Sequence, residues 1–411
     1  MTDGKMPLRA KVASSVSRTA AALSRAAGRG DGSVIGGWIG LKIDPDLLAH
    51  LSSGRAIALV SGTNGKTTTT RLTAAAMQVL GPVATNSFGA NMPTGHTSAL
   101  AKAGATPYAV LEVDEHYLAQ VIDATEPRVV ALLNLSRDQL DRAKEVAMMA
   151  QLWRTALAAH PDVLVVANAD DPMVVWAAEG STHITWFSAG QRWHDDSWVC
   201  PECGSPIERR DAQWWCTGCP LRRPQPQWTV EDDGVVDPTG AWHLVKLQLP
   251  GTVNIGNAAT ALAVAAQFGV RPLEAVPRLA TVSSVAGRYA QVDRDGRNIR
   301  LLLAKNPASW LEAFDMAEEA PTLLSINARD PDGLDTSWLF DVDFAPLRGR
   351  QVFITGDRAY DLAVRLEVND VPFRHVSTFE EAVRAAPPGR LEVIANYTAF
   401  QDIRAELDRV N

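Results

Sequence analysis

The sequence predicts an α/β protein whose larger part is a mostly parallel sheet with helices on both faces. Three observations carry that expectation. Apolar runs at 56–60, 108–113, 129–133 and 163–166 each give way to a polar or helical segment, the alternation expected of parallel strands joined by crossover helices. The first run stops at Gly62-Thr63-Asn64-Gly65-Lys66-Thr67 and helix formers follow at 71–80, so strand, tight turn and helix succeed one another as in a phosphate-binding loop. Beyond residue 300, strand-like runs at 322–326, 351–355 and 391–395 alternate with helical stretches and predict a second α/β domain of about 110 residues, an ordinary size for an independent unit.

A chain of 411 residues is too long for one ordinary core, so two or three domains are expected. With 46% apolar and 21% charged residues it has the composition of a globular protein. The formal net charge of -8 argues against a general nucleic-acid binder, which needs a basic footprint to displace counterions. All four cysteines lie between positions 200 and 219 and staple nothing else, which fits a reducing, cytoplasmic compartment. No apolar run reaches the length of about 18 residues that a membrane span needs.

At the N-terminus, Leu8, Val12, Val16, Ala20 and Leu23 recur at helical spacing, and residues 1–35 read as an amphipathic helical segment. Ala, Ser and Arg are frequent there, as in a transit peptide, but the apolar core of a secretory signal is missing. Next, the glycines of the loop let backbone N–H groups turn toward phosphate oxygens, and the following helix adds its positive end. Lys66 would neutralise the β and γ phosphates of ATP, and the Thr67 hydroxyl would face Mg²⁺. The loop departs from the general eight-residue pattern at Val60, where a glycine is expected. An accidental Gly-rich turn is the bland alternative, opposed by the preceding strand and by the four threonines, Thr67 to Thr70, that open the helix.

The next strand ends in Leu111-Glu112-Val113-Asp114-Glu115-His116, where Glu112 could hold Mg²⁺, since carboxylates at strand ends face the ligand crevice. A solvated acidic loop explains the same residues. Asp138, after the third strand, is a second candidate, and Asn168, Asp170 and Asp171 close the fourth. Cys200-x-x-Cys203 and Cys216-x-x-Cys219, twelve residues apart, have the spacing of a tetrahedral Zn²⁺ site, with Gly204 and Gly218 to make the turns. Four thiolates leave no open coordination position, so that zinc would be structural. Every cysteine is then committed, and any thiol nucleophile must come from a partner. Helical periodicity returns at 257–268, and 288–300 reads as a linker. The resulting division is an N-terminal segment 1–35, a central domain 36–295 with an insertion at about 195–228, and a C-terminal domain 296–411.

The loop Gly62, Thr63, Asn64, Gly65, Lys66, Thr67 and Thr68, the segment 251–258, and Gly287-Arg288 together resemble the Mur ligases, in the same order and spacing from about residue 36 onward. The cysteine insertion, residues 134–142 and 303–307, and Asp332-Gly333-Leu334-Asp335-Thr336-Ser337-Trp338 resemble more narrowly the synthetase branch that amidates lipid II. That resemblance implies a Mur ligase-like fold with an inserted zinc ribbon and a C-terminal α/β domain. It also implies ATP-dependent conversion of the lipid II D-glutamate α-carboxyl to D-isoglutamine through an acyl phosphate, with ammonia from a GatD-like glutaminase subunit in a heterodimer. The protein would act at the inner face of the cell membrane. Position by position, Lys66 and Thr67 would hold phosphates and Mg²⁺, Glu112 would be the metal carboxylate, and Asn254, Asn257 and Arg288 would approach the nucleotide. Val253 stands where those ligases often carry His, so that side-chain role is lost. Asp335 is chosen to complete the partner's Cys-His pair, with Asp332 and Asp341 as alternatives and a helix cap as the bland explanation. Two other functions stay open. One is a Mur-type ligase that attaches an amino acid. The other is a nucleotide-regulated module whose Arg209, Arg210, Arg222 and Arg223 contact nucleic acid.

Overall fold

The computed structural model describes residues 6–27, 32–86, 89–137, 146–283, 289–317 and 319–408. Asp138 and Arg288 fall outside them. The chain divides into two compact units, Met1–Leu135 with Val146–Gln248 and Val253–Ser283, and Ser136–Glu145 with Leu249–Thr252 and Ser284–Asn411.

In the first unit the strands are β1 (Ala56–Ser61), β2 (Val83–Thr85), β3 (Tyr108–Glu112), β4 (Val129–Leu132), β5 (Leu164–Asn168), β6 (Ile184–Ser188), β7 (Ile207–Arg210), β8 (Gln213–Cys216), β9 (Trp228–Glu231), β10 (Gly234–Val236) and β11 (Trp242–Leu244). Nine of them form one sheet among the described residues, in the order β11-β10-β9-β6-β5-β4-β1-β3-β2. Pairing is parallel from β2 across to β9 and antiparallel between β9, β10 and β11. The apolar runs are continuous because both faces of this sheet are covered. Ile57 and Leu59 enter the core on one face, and Ala58 and Val60 enter the core on the other, as the two-residue period of a strand requires. The chain runs from β1 outward to β2 and β3 on one side and then to β4, β5 and β6 on the other. The strand order therefore reverses at β1, the place where open α/β sheets hold their ligands.

Helix α1 (Leu8–Ala26) forms where the apolar spacing predicts it, but the face it buries is the opposite one. Ala10, Ala13, Ser14, Ser17, Ala21 and Ser24 are buried, whereas Leu8, Val12, Val16 and Leu23 are exposed. The reason lies in α2 (Ser33–Ile43), whose glycines form the contact. A Cβ on Gly36 would stand 2.8 Å from Ser17 O and 2.9 Å from Ala21 Cβ, so only small residues fit between the two backbones. Ser17 also lies against Gly40, and Ala21 against Gly32, so the pair runs antiparallel.

The second unit adds β12 (Tyr289–Arg294), β13 (Arg297–Leu303), β14 (Thr322–Ser325), β15 (Val352–Thr355), β16 (Phe373–His375) and β17 (Gly389–Ala395), in sheet order β12-β13-β17-β14-β15-β16. The span read as a linker is here a β-hairpin, β12 pairing antiparallel with β13. Its turn is Asp295-Gly296, with φ of 49° and 72°, the left-handed pair that Asp-Gly supplies in tight hairpins. Arg300 on β13 is buried against Glu392 on β17, N···O 2.6 Å, so the charges lie within the sheet rather than in a solvated connection.

Candidate functional site

The loop Gly62 to Thr67 sits at the end of β1, where the strand order reverses. Gly62 and Gly65 have φ of 147° and 82°. A Cβ on Gly65 would lie 2.7 Å from Asn257 Oδ1, and one on Gly62 would lie 2.8 Å from Leu133 Cβ. Both positions therefore need glycine for conformation and for space. Gly65 caps the helix Lys66–Met77. Lys66 is buried; its ammonium donates to Gly62 O at 2.6 Å, Thr63 O at 3.2 Å and Glu115 Oε2 at 2.8 Å. Thr67 and Thr68 are buried in the first turn of the same helix.

Asn134, just beyond β4, holds the loop in place. Its backbone carbonyl accepts from Thr63 N–H at 2.9 Å, its side-chain Oδ1 accepts from Asn64 N–H at 2.9 Å, and its Nδ2 donates to Asn64 O at 3.2 Å. From the far side, the helix Val253–Gln267 brings Asn257 against the loop's helix: Thr69 Oγ1 donates to Asn257 Oδ1 at 3.1 Å, and Asn257 Nδ2 donates to Asn254 Oδ1 at 3.0 Å. Asn254 and Asn257 are one helical turn apart, which is why they meet.

Glu112 ends β3 and is paired in register with Val60 of β1. Its backbone is clamped: Glu112 N–H donates to Asn86 Oδ1 at 2.8 Å, and Glu112 O accepts from Asn86 Nδ2 at 2.9 Å and from His96 Nε2 at 2.7 Å. Glu112 is buried as a residue, and its carboxylate oxygens are not among the fully enclosed side-chain atoms left without a partner. A carboxylate at the end of a strand beside the loop is a fitting ligand for a cation. Because His96 Nε2 faces a carbonyl oxygen, it carries the proton. His96 Nδ1 is buried with no partner, and burial lowers the pKa of the ring to about 4.

The polar residues after β5 have a different use. Asp171 is fully buried at the N-cap of the helix Pro172–Ala178, accepting from Met173, Val174 and Leu135 N–H groups. Burial pushes its carboxyl above the usual range. Asp170 accepts from Ser188 Oγ, from the Ala189 and Gly190 N–H groups, and, at Oδ1, from Arg223 Nη2 at 2.8 Å and Nε at 3.0 Å. Asn168 Nδ2 donates to Leu133 O at 2.8 Å. All three lock loops to the sheet.

Cys200, Cys203, Cys216 and Cys219 converge, with all four Sγ atoms within 4.8 Å of one another. Tetrahedral Zn–S bonds would set sulfurs about 3.8 Å apart, so the spacing fits one metal ion. Cys200 and Cys219 approach to 3.6 Å and Cys203 and Cys216 to 3.4 Å, and none is in a disulfide. Burial pushes the Cys200 thiol up to about 12, so a cation is what would hold it as thiolate. The hairpin β7–β8 carries the cluster. Gly204 turns with φ 75°, while Gly218 is required for space, because a Cβ there would meet Ser205 Oγ at 2.1 Å. Trp214 Nε1 donates to Ala169 O at 2.9 Å and Arg223 pairs with Asp170, which fastens this segment to the end of β5. Arg223 is thus buried in an ion pair and Arg209 donates to Ser197, whereas Arg210 and Arg222 are exposed.

In the second unit the three candidate aspartates differ. Asp332 accepts from Thr398 N–H at 2.8 Å, from its hydroxyl, and from Arg329 N–H at 3.2 Å. Asp341 pairs with Arg137 at 3.3 Å. Asp335 is exposed; it accepts from Ser337 N–H at 2.8 Å, and that bond holds its carboxyl below the usual range.

Residues 60–199 match the Mur ligase middle domain, and residues 303–400 match the MurT ligase C-terminal domain. The chain thus matches two Mur ligase domains. These matches make it an ATP-dependent ligase. It is 28% identical over 412 residues to the lipid II isoglutaminyl synthase (glutamine-hydrolyzing) subunit MurT of Streptococcus pneumoniae, covering 91% of this chain and 92% of that protein. The subunit of the same name from Staphylococcus aureus is 28% identical over 420 residues, covering 94% and 95%. In fold it is similar to a pseudomurein peptide ligase type C from Methanothermus fervidus, with a TM-score of 0.68 at 17% identity over 87% of this chain and 79% of that one. MurF from Acinetobacter baumannii gives 0.64 at 17% identity, over 90% and 80%.

Several residues that build the candidate site escape a reading by motif. Glu115 lies within the acidic segment after β3, yet only the structure pairs it with Lys66. Asn134 was visible as a polar residue ending a strand, but its grip on the loop needs β4 beside β1. Asn86 and His96 have no sequence signal, since they act on backbone groups far away in the chain.

Proposed function

We propose that this protein amidates the α-carboxyl of the D-glutamate residue in the lipid II stem peptide, giving D-isoglutamine, with ammonia from a GatD-like glutaminase subunit bound as a heterodimer. The observation that carries this reading is the match of residues 303–400 to the MurT ligase C-terminal domain, together with similarity along nearly the whole chain to subunits named for that reaction. The cysteines agree with it. All four lie in one cluster, so the chain has no other thiol with which to hydrolyse glutamine.

A carboxylate repels nucleophiles and has no good leaving group, so ATP would first phosphorylate it. Lys66, held at the head of its helix, would move from Glu115 onto the β and γ phosphates and stabilise charge as the phosphoryl group leaves. Loop N–H groups from Gly62 to Thr68 would cradle the phosphates, and Asn254, Asn257 and Arg288 would line the nucleotide. Mg²⁺, when bound, would neutralise the phosphate oxygens, with the Thr67 hydroxyl and the Glu112 carboxylate as its protein ligands. Ammonia would then displace phosphate from the acyl phosphate. The cysteine cluster would hold a structural zinc in a ribbon inserted at about 195–228 of the central domain, 36–295. The C-terminal domain, 296–411, would present Asp335 to orient the partner's histidine.

The test is expression with and without the glutaminase, followed by assay of lipid II amidation with glutamine as sole nitrogen source. Amidation that requires ATP, glutamine and both chains is expected. Amidation or phosphate release by this chain alone under those conditions would overturn the reading, and phosphate release with a free amino acid would favour amino-acid ligation instead.

A further inference from the structure

Helices α1 and α2 turn their large apolar side chains to solvent. Leu8 is 78% exposed, Leu23 65%, Val34 58% and Trp38 55%, with Val12, Val16 and Ile35 beside them in sequence and also exposed. On α1 the stripe follows from helical geometry, because Leu8, Val12 and Val16 are spaced four apart and share one face. The same helix buries only Ala and Ser against the glycines of α2. This inverts the usual amphipathic arrangement, and an exposed apolar stripe of this kind along α1 marks a surface with an unseen partner.

Charge says which partner. Neither α1 nor α2 contains an Asp or Glu. Lys11, Arg18 and Arg25 recur every seven residues, forming a basic row that flanks the apolar stripe, and all are exposed. Arg9 donates to Ile43 O and Arg18 to Ser15 Oγ, and neither meets a carboxylate among the described residues. Residues 1–43 hold seven Lys and Arg against two Asp, in a chain whose net charge is -8. An apolar stripe bordered by basic residues, on a protein otherwise acidic, is complementary to a lipid interface with anionic headgroups. No helix among the described residues is long and apolar enough to cross a membrane, so the contact would be in the interfacial plane.

We propose that the exposed stripe of α1, with the basic row beside it, docks this protein onto an anionic bilayer surface. The inference rests on the lipid-linked substrate of the preceding reading for its purpose, since docking would confine enzyme and substrate to one plane. Its measurement is independent of that reading.

The experiment is flotation of the full chain, with its glutaminase when available, on phosphatidylcholine vesicles with and without about 30 mol % phosphatidylglycerol and free of lipid II. Binding to the anionic vesicles that weakens with added salt is expected. Lys11→Glu/Arg18→Glu should weaken it by about tenfold or more, since each surface basic residue contributes about fivefold. Leu8→Asp/Val12→Asp should weaken it by a similar factor, because two apolar side chains leave the interface. Exposed positions tolerate these changes, and thermal melts confirm that both variants fold. Failure of the wild type to float with anionic vesicles, or equal flotation of both variants, overturns the proposal. So does a loss of glutaminase binding or of self-association in the apolar variant with vesicle binding unchanged, which would make this face a protein interface. Lipid II amidation in detergent micelles, assayed in parallel, separates the two readings. Retained amidation without vesicle binding refutes docking alone, and vesicle binding without amidation refutes the substrate assignment alone.

Discussion

Lys66 and Glu115 form a buried pair at 2.8 Å beneath the loop proposed to receive phosphate. Removing one partner of such a pair typically costs about 3 kcal/mol, because the other charge stays buried. Glu115→Gln should therefore lower the melting temperature of the nucleotide-free protein, and saturating ATP should narrow the gap by giving Lys66 phosphate oxygens in place of the carboxylate. Differential scanning fluorimetry with and without ATP checks this. Lys66→Met should reduce turnover by about a hundredfold or more, as loss of a charge-stabilising donor does. His96 provides a pH signature. Its folded pKa of about 4 lies below the ordinary 6.5, so between these values the unfolded chain holds a proton that the folded chain does not. Stability should then be fully present above pH 6.5 and fall as the pH drops toward 4, by up to ~3 kcal/mol. His96→Gln should flatten that part of a melting-temperature profile, whatever its effect at neutral pH.

Among the elements, the hairpin β7–β8 depends on its cysteines most. It is short, its strands have few buried side chains, and it is tied to the sheet through Trp214 and Arg223. Metal analysis should find about one zinc per chain, and chelation or Cys216→Ser should open the segment 199–223 to protease while leaving the parallel sheet cooperative. Persistence of protease resistance in zinc-free protein would show that packing alone suffices. The same scale explains which elements were legible. Strands β1, β3, β4 and β5 are buried on both faces and read as unbroken apolar runs. Strands β12 and β13 mix charged and apolar residues, and Arg300 sits inside the sheet because Glu392 is there to receive it. The Asp295-Gly296 turn is a local signal of that hairpin, and reading 288–300 as a linker passes over it.

For the whole molecule, the expectation that separates two cooperating active sites from one is carried by Asp335. Asp335→Asn should abolish amidation driven by glutamine while sparing amidation driven by free ammonium, with the glutaminase present in both assays. Loss of both would assign the residue to the fold or to the synthetase site, and its hydrogen bond from Ser337 N–H makes a purely local role a real competitor. The sequence by itself determined what local physics dictates: the α/β class, the glycines and lysine of the loop, and the metal-ligand spacing of the cysteines. Such features depend on residue types within a few positions of one another. Tertiary structure alone decided which carboxylate faces Lys66, which asparagine straps the loop, that Asp170 and Asp171 serve packing, and which face of α1 is buried. In each case the partner lies tens of residues away or on another element, and hydrogen bonding and close packing are settled by that juxtaposition rather than by the segment's own composition.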